Sequence, residues 1–241
     1  MIELEHEHTK QAIHERLATD SKPHYLRDWV YGGIDGAITT FAIVAGVVGA
    51  GLSANIIIIL GLANLFADGF SMAASAYSGT KTEADELERF RQIERKHIAH
   101  VPEGEREEVR QILMAKGLSG QALNNAVTAI TSNEEIWINT MLVEEYHLSI
   151  NLRSPLVSGL STFAAFFICG AIPLLPFLLS SDRALEIALF TTSMAFFAIG
   201  AIKSKWSLAP WWKSGLETLL IGMAASAMAY FVGHFVKGLV G

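Results

Sequence analysis

Two long stretches of the chain are almost entirely apolar. Residues 29–80 contain no Lys, Arg or Glu, and residues 154–181 carry no charge at all. Because an α-helix rises about 1.5 Å per residue, about 20 apolar residues cross the hydrocarbon core of a bilayer. The first stretch is long enough for two crossings and the second for one. The pattern therefore predicts a polytopic helical membrane protein.

Five membrane spans follow from this pattern, with short polar turns between them. A tight turn at residues 52–55 separates the first two spans, and residues 180–183 separate the third from the fourth. The predicted spans are Trp29–Gly51, Ala54–Ser78, Pro155–Leu179, Ala184–Ile202 and Lys213–Val236. The predicted fold class is all-α, with five transmembrane helices and a small helical cytoplasmic domain inserted between the second and third.

The inserted segment differs from the spans because charged residues run through it at helical spacing. Its first helix is predicted to continue directly from the second span. Breaks are expected at residues 101–102 and at Gly117, with a last helix from about Asn133 to Tyr146. The predicted divisions are an N-terminal cytoplasmic segment (1–28), transmembrane helices 1 and 2 (29–80), a cytoplasmic helical metal-binding domain (81–152) and transmembrane helices 3 to 5 (153–241).

Charge placement predicts the orientation. Of the 18 Lys and Arg residues, 16 lie on the side that holds the N-terminus and the insert, and the positive-inside rule makes that side cytoplasmic. No cleavable signal or targeting segment is recognised, so a bacterial cytoplasmic membrane is expected. With 51% hydrophobic residues, one Cys and a net charge of −6, a single soluble domain, a disulfide scaffold and a basic nucleic-acid binder are excluded.

Two acidic residues interrupt the first apolar stretch. Asp35 lies inside the first predicted span and Asp68 inside the second. An ionised Asp near the bilayer centre costs about 2.5–3.5 kcal/mol, so such residues usually face a partner or an aqueous path. Asn64, Asp68 and Met72 are spaced four residues apart and form one row on a helix face. This row could hold a divalent transition metal weakly and exchange it for protons.

The same region also has a purely structural interpretation. Each Asp could cap a helix or bond to a neighbouring Ser or Thr, and Gly32-x-x-x-Gly36 is a spacing that lets helices pack closely. We favour a transport pathway lined by Asp35, Asp68 and Met72, because intramembrane ionisable residues are functional by default.

Glu-x-x-His pairs occur twice in the insert and twice at the N-terminus, where Glu3/His6 and Glu5/His8 are more typical of a solvated tail. This spacing puts both side chains on one side of a helix, as in carboxylate-bridged di-iron bundles. The predicted metal ligands of the insert are Glu94, His97, Glu105, Glu108, Glu144 and His147, with Met141 as their soft neighbour. Such donors suit Fe(II), Mn(II) or Zn(II).

Three motifs, at residues 31–46 (YGGIDGAITTFAIVAG), 67–74 (ADGFSMAA) and 170–176 (GAIPLLP), resemble the vacuolar iron transporter family, as does the acidic insert. The resemblance implies a five-span homodimer with a transport path between protomers. It implies export of Fe(II), and often Mn(II), from the cytosol in exchange for protons. It also implies that Asp35 and Met72 line the path and that the insert gathers ions on the seven residues named above.

The sequence departs from the family pattern at four positions. Ala76 stands where many members carry a Glu, and we expect Asp68 to supply the missing charge. His97 and His147 stand where Glu is commoner, and Thr140 replaces the first of a Met pair. Because a His must be neutral to bind metal, the two imidazoles should make metal capture more pH-sensitive.

Three functions fit these features. The first is a proton-coupled Fe(II)/Mn(II) exporter, not an enzyme. It would hold no permanent cofactor, and Zn(II) is a further candidate for its cytoplasmic site. Its partners would be metal ions, protons, the lipid bilayer and a second copy of the chain, with no nucleic acid. The others are a membrane-tethered di-iron ferroxidase and a non-transporting metal sensor or buffer. We favour the exporter, because a membrane anchor has no need of Asp68.

Overall fold

The computed structural model describes residues 7–18 and 24–240, and helices account for most of them. In chain order the helices are α1 (Lys10–Ala18), α2 (Leu26–Gly49), α3 (Ala54–His100), α4 (Pro102–Ala115), α5 (Gly120–Thr131), α6 (Glu134–Glu144), α7 (Pro155–Ala171), α8 (Leu175–Leu178), α9 (Ala184–Lys203) and α10 (Trp211–Val240). Short 3₁₀ turns, Ile172–Leu174 and Ser204–Trp206, follow α7 and α9. The described residues contain no β-strand, so the all-α prediction is confirmed.

Five helical segments are long and apolar enough to cross a membrane, which confirms the predicted number of spans. They are Leu26–Gly49, Ala54–His100, Pro155–Leu178, Ala184–Trp206 and Trp211–Leu239. The first begins three residues before the predicted Trp29, because Arg27 and Asp28 belong to its opening turn. Their charges led the sequence pattern to place them outside the helix.

The chain forms two compact units. The membrane unit comprises Tyr25–Asp85 and residues 153–240, and the insert unit comprises Glu86–Leu152 with residues 7–18 and His24. α3 contributes residues to both units, since it runs unbroken as the sequence predicted. A cytoplasmic location for the insert unit stays a prediction.

Glycines bring α2 close to α7 in the membrane unit. A Cβ atom at Gly32 would meet the backbone oxygen of Thr162, and one at Gly36 would meet the backbone oxygen of Phe166. The Gly32-x-x-x-Gly36 spacing therefore serves close helix packing, as its structural interpretation proposed. This packing holds the face of α2 that carries Asp35 in a defined place.

In the insert unit, α4, α5 and α6 close around an apolar core. Val101 separates α3 from α4, which begins at Pro102. After α4 ends, Gly117 takes a left-handed backbone at φ 92°. Asn133 caps α6 by accepting a hydrogen bond from the Ile136 N–H at 3.1 Å. The core is formed by Val109, Leu113, Leu123, Val127, Trp137 and Met141.

Candidate metal centres

A side-chain hydrogen bond sets the register of α2 against α3. The Asn64 amide donates to Thr39 Oγ1 at 3.1 Å and to Thr40 Oγ1 at 3.4 Å. Because these helices are joined by a tight turn and run antiparallel, four residues forward along α3 match four residues back along α2. Asp68 therefore lies opposite Asp35, and the two carboxylates are close enough for their charges to interact.

One turn further along α3, Met72 lies opposite Tyr31 in the same register. Both residues line a cavity of about 250 Å³ in the membrane unit. Asp35, Asp68 and Met72 are all half-buried. The structure thus brings the three predicted pathway residues to one interface between α2 and α3, whereas their role in transport stays a prediction.

A buried ion pair lies in the wall of the same cavity. Both carboxylate oxygens of Asp28 accept hydrogen bonds from Arg153 Nη1 at 3.0 Å, and Ser158 Oγ donates to Asp28 at 2.8 Å. The Thr80 hydroxyl donates in turn to Ser158 Oγ at 3.2 Å, which links α3 to the network. Sequence reasoning missed this network, because Asp28 and Arg153 both stand just outside the apolar stretches. The available signal was that an acidic residue stands at the start of one predicted span and a basic residue at the start of another, so the two could form an ion pair.

The insert unit contains a cluster of two carboxylates and one imidazole. Glu94 and His97 lie on α3, and Glu105 lies on the first turns of α4. His97 Nδ1 is 3.3 Å from Glu105 Oε1 and 3.6 Å from Glu94 Oε1. One ligand atom from each residue lies within 4.8 Å of the other two, so the three could coordinate a single metal ion. These are three of the predicted ligands.

The two carboxylates of this cluster are buried and incompletely satisfied. Glu94 is fully buried and accepts a hydrogen bond from Tyr146 Oη at 2.9 Å, while Glu105 is 3% exposed. Oε2 of Glu94 and Oε2 of Glu105 have no hydrogen-bond partner among the described residues. A buried carboxylate oxygen without a partner is costly, and a bound cation would satisfy it.

The electrostatics of the cluster show how strongly these negative charges crowd one another. Burial, followed by the nearby charges of Glu94 and Glu108, raises the pKa of Glu105 from 4.5 to about 8. Burial, followed by the charges of Glu108 and Glu94, also raises the pKa of Glu145. Burial and the hydrogen bond to Glu94 raise the pKa of the Tyr146 hydroxyl. A divalent cation would relieve this repulsion directly.

Glu144 and His147 are placed differently from their predicted pairing. α6 ends at Glu144 rather than near Tyr146, and His147 takes a left-handed backbone at φ 55°. The two side chains therefore do not share one side of a helix. Glu144 Oε1 instead accepts a hydrogen bond from Lys116 Nζ at 2.7 Å. Glu145, which sequence reasoning passed over, is the glutamate of this segment whose charge acts on Glu94 and Glu105.

The other two predicted ligands of the insert have distinct surroundings. Glu108 is exposed, one turn after Glu105 on α4, and its charge reaches that carboxylate. Met141 is fully buried and packs in the apolar core with Val109 and Trp137. In the N-terminal pairs, Glu3, Glu5 and His6 lie outside the described residues. The metal-binding role of all these residues stays a prediction.

The profile of the VIT family matches residues 26–234 of the chain, which spans both units. The chain belongs to this family. A vacuolar iron transporter of Toxoplasma gondii is 32% identical over 240 residues, covering 95% of this chain and 80% of its relative. Vacuolar iron transporter 1 of Arabidopsis thaliana is 31% identical, with 88% and 86% covered. A vacuolar iron transporter of Centaurea cyanus is 32% identical, with 85% of each chain covered.

Membership of the VIT family agrees with the resemblance seen in the sequence motifs. The five apolar helices and the family match together make this chain an integral, multi-pass membrane protein. The relatives are named as transporters of iron, so a metal-ion transporter is the functional class that the family supports.

Proposed function

We propose that this VIT family protein exports Fe(II), Mn(II) or both from the cytosol in exchange for protons. The observation that carries the proposal is the opposition of Asp35 and Asp68 across the interface of α2 and α3. Two carboxylates that face each other inside a membrane span repel one another when both are ionised. A divalent cation or two protons would neutralise the pair equally, so the same site can exchange one for the other.

Met72 adds selectivity to this proposed site. Its thioether lies one turn beyond Asp68 in the same row and faces the cavity. Carboxylate and amide oxygens alone also suit Mg²⁺ and Ca²⁺, whereas a thioether favours softer transition metals. The thioether therefore favours Fe(II) over Mg²⁺ and Ca²⁺, whereas Mn(II) would be bound mainly by the oxygen ligands of the row.

The insert unit is proposed to capture the metal before transport. Glu94, His97 and Glu105 supply the first ligands, and the partnerless oxygens of the two buried glutamates favour occupation by a cation. Glu145 and Glu108 add negative charge at the same place. This donor set also suits Zn(II), which is a convenient probe for it.

The capture role is favoured over a di-iron ferroxidase. Such a centre uses two Glu-x-x-His motifs with further glutamates. Within the part of the chain that the structure describes, the Glu94/His97 pair lies in the cluster, whereas Glu144 binds Lys116. A sensor or buffer anchored in the membrane would not need the opposed Asp35 and Asp68.

The direction and setting of transport are further parts of the proposal. The relatives are named for the vacuole, whereas this chain is proposed to reside in a bacterial cytoplasmic membrane with its N-terminus and insert in the cytosol. In either setting the metal would leave the cytosol. A homodimer is proposed on the resemblance to the family.

Proteoliposomes test the transport proposal. The full-length protein is reconstituted, and Fe(II) and Mn(II) uptake is followed with and without an acidic interior, together with the proton flux. We expect an acidic interior to accelerate metal uptake and metal uptake to release protons from the lumen. Uptake that ignores the pH gradient would contradict proton exchange, and absence of uptake would contradict transport.

A further inference from the structure

The cavity beside Met72 contains two carboxylates that are in very different states. Asp28 is buried and neutralised by Arg153. Glu83 lines the same cavity but is exposed, and the described residues offer it no hydrogen bond or ion pair. Glu83 is therefore the cavity carboxylate whose charge is free to attract a cation.

Glu83 also lies on the stripe of α3 that carries the pathway row. The residues between Met72 and Glu83 on this stripe are spaced three or four apart from one or the other, and all are small and line the cavity: Ser75, Ala76, Gly79 and Thr80. Residues spaced in this way share one helix face. At about 1.5 Å per residue, Glu83 is about 16 Å from Met72 along the helix axis. The small side chains leave open space between the carboxylate and the thioether.

Neither basic residue of the cavity forms an ion pair with Glu83 among the described contacts. Arg153 is engaged by both oxygens of Asp28. The guanidinium of Arg27 lies over the ring of Tyr31, 5.4 Å from its centroid, on α2 rather than on α3. A cation that enters along the α3 wall therefore meets a free carboxylate first.

We propose that Glu83 is the entry ligand of the membrane unit, which binds the divalent metal ion at the mouth of the cavity and passes it towards Met72. This role rests on the proposed transport function. Ala76, between the two, offers no donor atom, so the ion travels from Glu83 to the next donors of the row. The carboxylate is unselective among divalent ions, and the discrimination comes later at Met72.

The test is the kinetics of Mn(II) uptake by the full-length protein in proteoliposomes. Glu83→Gln is expected to raise the apparent KM for Mn(II) roughly three- to tenfold, because an entry ligand acts on capture. The maximal rate should stay near that of the wild type, since Asp35 and Asp68 are untouched. Glu88→Gln is the matched control: the same substitution of an exposed glutamate on α3 outside the cavity lining, expected to change neither value.

Two further variants make the result specific to this cavity. Glu83→Asp keeps the charge and should recover most of the low KM. Ala76→Glu combined with Glu83→Gln places a carboxylate elsewhere on the same stripe and should also lower the KM again. An unchanged KM in Glu83→Gln, alongside normal uptake by the wild type, would overturn the role of Glu83 and leave transport intact. No uptake by the wild type would overturn the proposed function, and this inference with it.

Discussion

His97 Nδ1 lies 3.3 Å from Glu105 Oε1, which joins the last turns of α3 to the first turns of α4. The two residues belong to different helices, and the break between α3 and α4 at Val101 lets them approach each other. Both groups bind protons as well as metal ions. Metal capture at this contact is therefore expected to compete with protonation.

The stability of the insert unit without metal should fall as the pH rises. The folded-state pKa of Glu105 is raised to about 8, so the folded protein binds a proton that the unfolded chain loses near pH 4.5. Between these values the unfolded state binds fewer protons, and the free energy of unfolding decreases with increasing pH. Hydrogen exchange of α4 amides in the full-length protein, measured in chelator from pH 5 to 8, follows this change after correction for intrinsic exchange.

Glu105→Gln should remove most of that pH dependence, because a neutral amide replaces the group that titrates. Glu107→Gln, on the same helix but exposed, is the control and should keep the dependence of the wild type. Equal pH dependence in the wild type and Glu105→Gln would contradict the raised pKa of Glu105.

Two neighbouring glutamates should differ in their effect on metal binding. The negative charge of Glu145 repels those of Glu94 and Glu105, whereas Glu144 is hydrogen-bonded to Lys116. Glu145→Gln should weaken Mn(II) or Zn(II) binding about tenfold, which corresponds to about 1.4 kcal/mol. Glu144→Gln should leave the affinity near that of the wild type, as measured by calorimetry on the full-length protein. The reverse order would show that the sequence prediction of Glu144 was the better one.

Asp35→Asn should stop metal uptake while leaving metal binding by the insert intact. The substitution removes one of two opposed carboxylates and with it half of the charge that balances a divalent ion. Uptake into proteoliposomes and Zn(II) binding in detergent separate the two effects. Asp182→Asn, an exposed acid in the turn before α9, is the control. Metal-dependent flux that persists in Asp35→Asn would remove this residue from the pathway.

Arg153→Gln should destabilise the membrane unit by about 3–5 kcal/mol, because it leaves the buried Asp28 carboxylate without its cation. Thermal unfolding in detergent measures the loss. The double variant Asp28→Asn/Arg153→Gln should recover part of it, since no unpaired charge remains. Arg183→Gln, an exposed arginine, should have little effect. A stable Arg153→Gln variant would mean that water or another group already solvates Asp28.

Much of the candidate site could be predicted where ligands follow one another on a single helix. Asn64, Asp68 and Met72 form a row because residues four apart share a helix face. Glu94 and His97 were predicted as neighbours for the same reason. Glu144 and His147 fit the same spacing but do not share a helix, because α6 ends at Glu144. Spacing is informative only where the helix continues.

The sequence by itself determined the five apolar helices, because a helix that crosses a bilayer must be long and almost free of charge. It also determined the helical insert, because a segment rich in charged residues cannot lie in the hydrocarbon core. Only the tertiary structure decided which side chains meet across helices. Asp35 lies opposite Asp68 through the register set at Asn64, and Arg153 reaches Asp28 across 125 residues of sequence. The charge of Glu145 acts on Glu94, whereas Glu144 is hydrogen-bonded to Lys116. Such contacts depend on the register and the ends of helices, which the local spacing of residues does not encode.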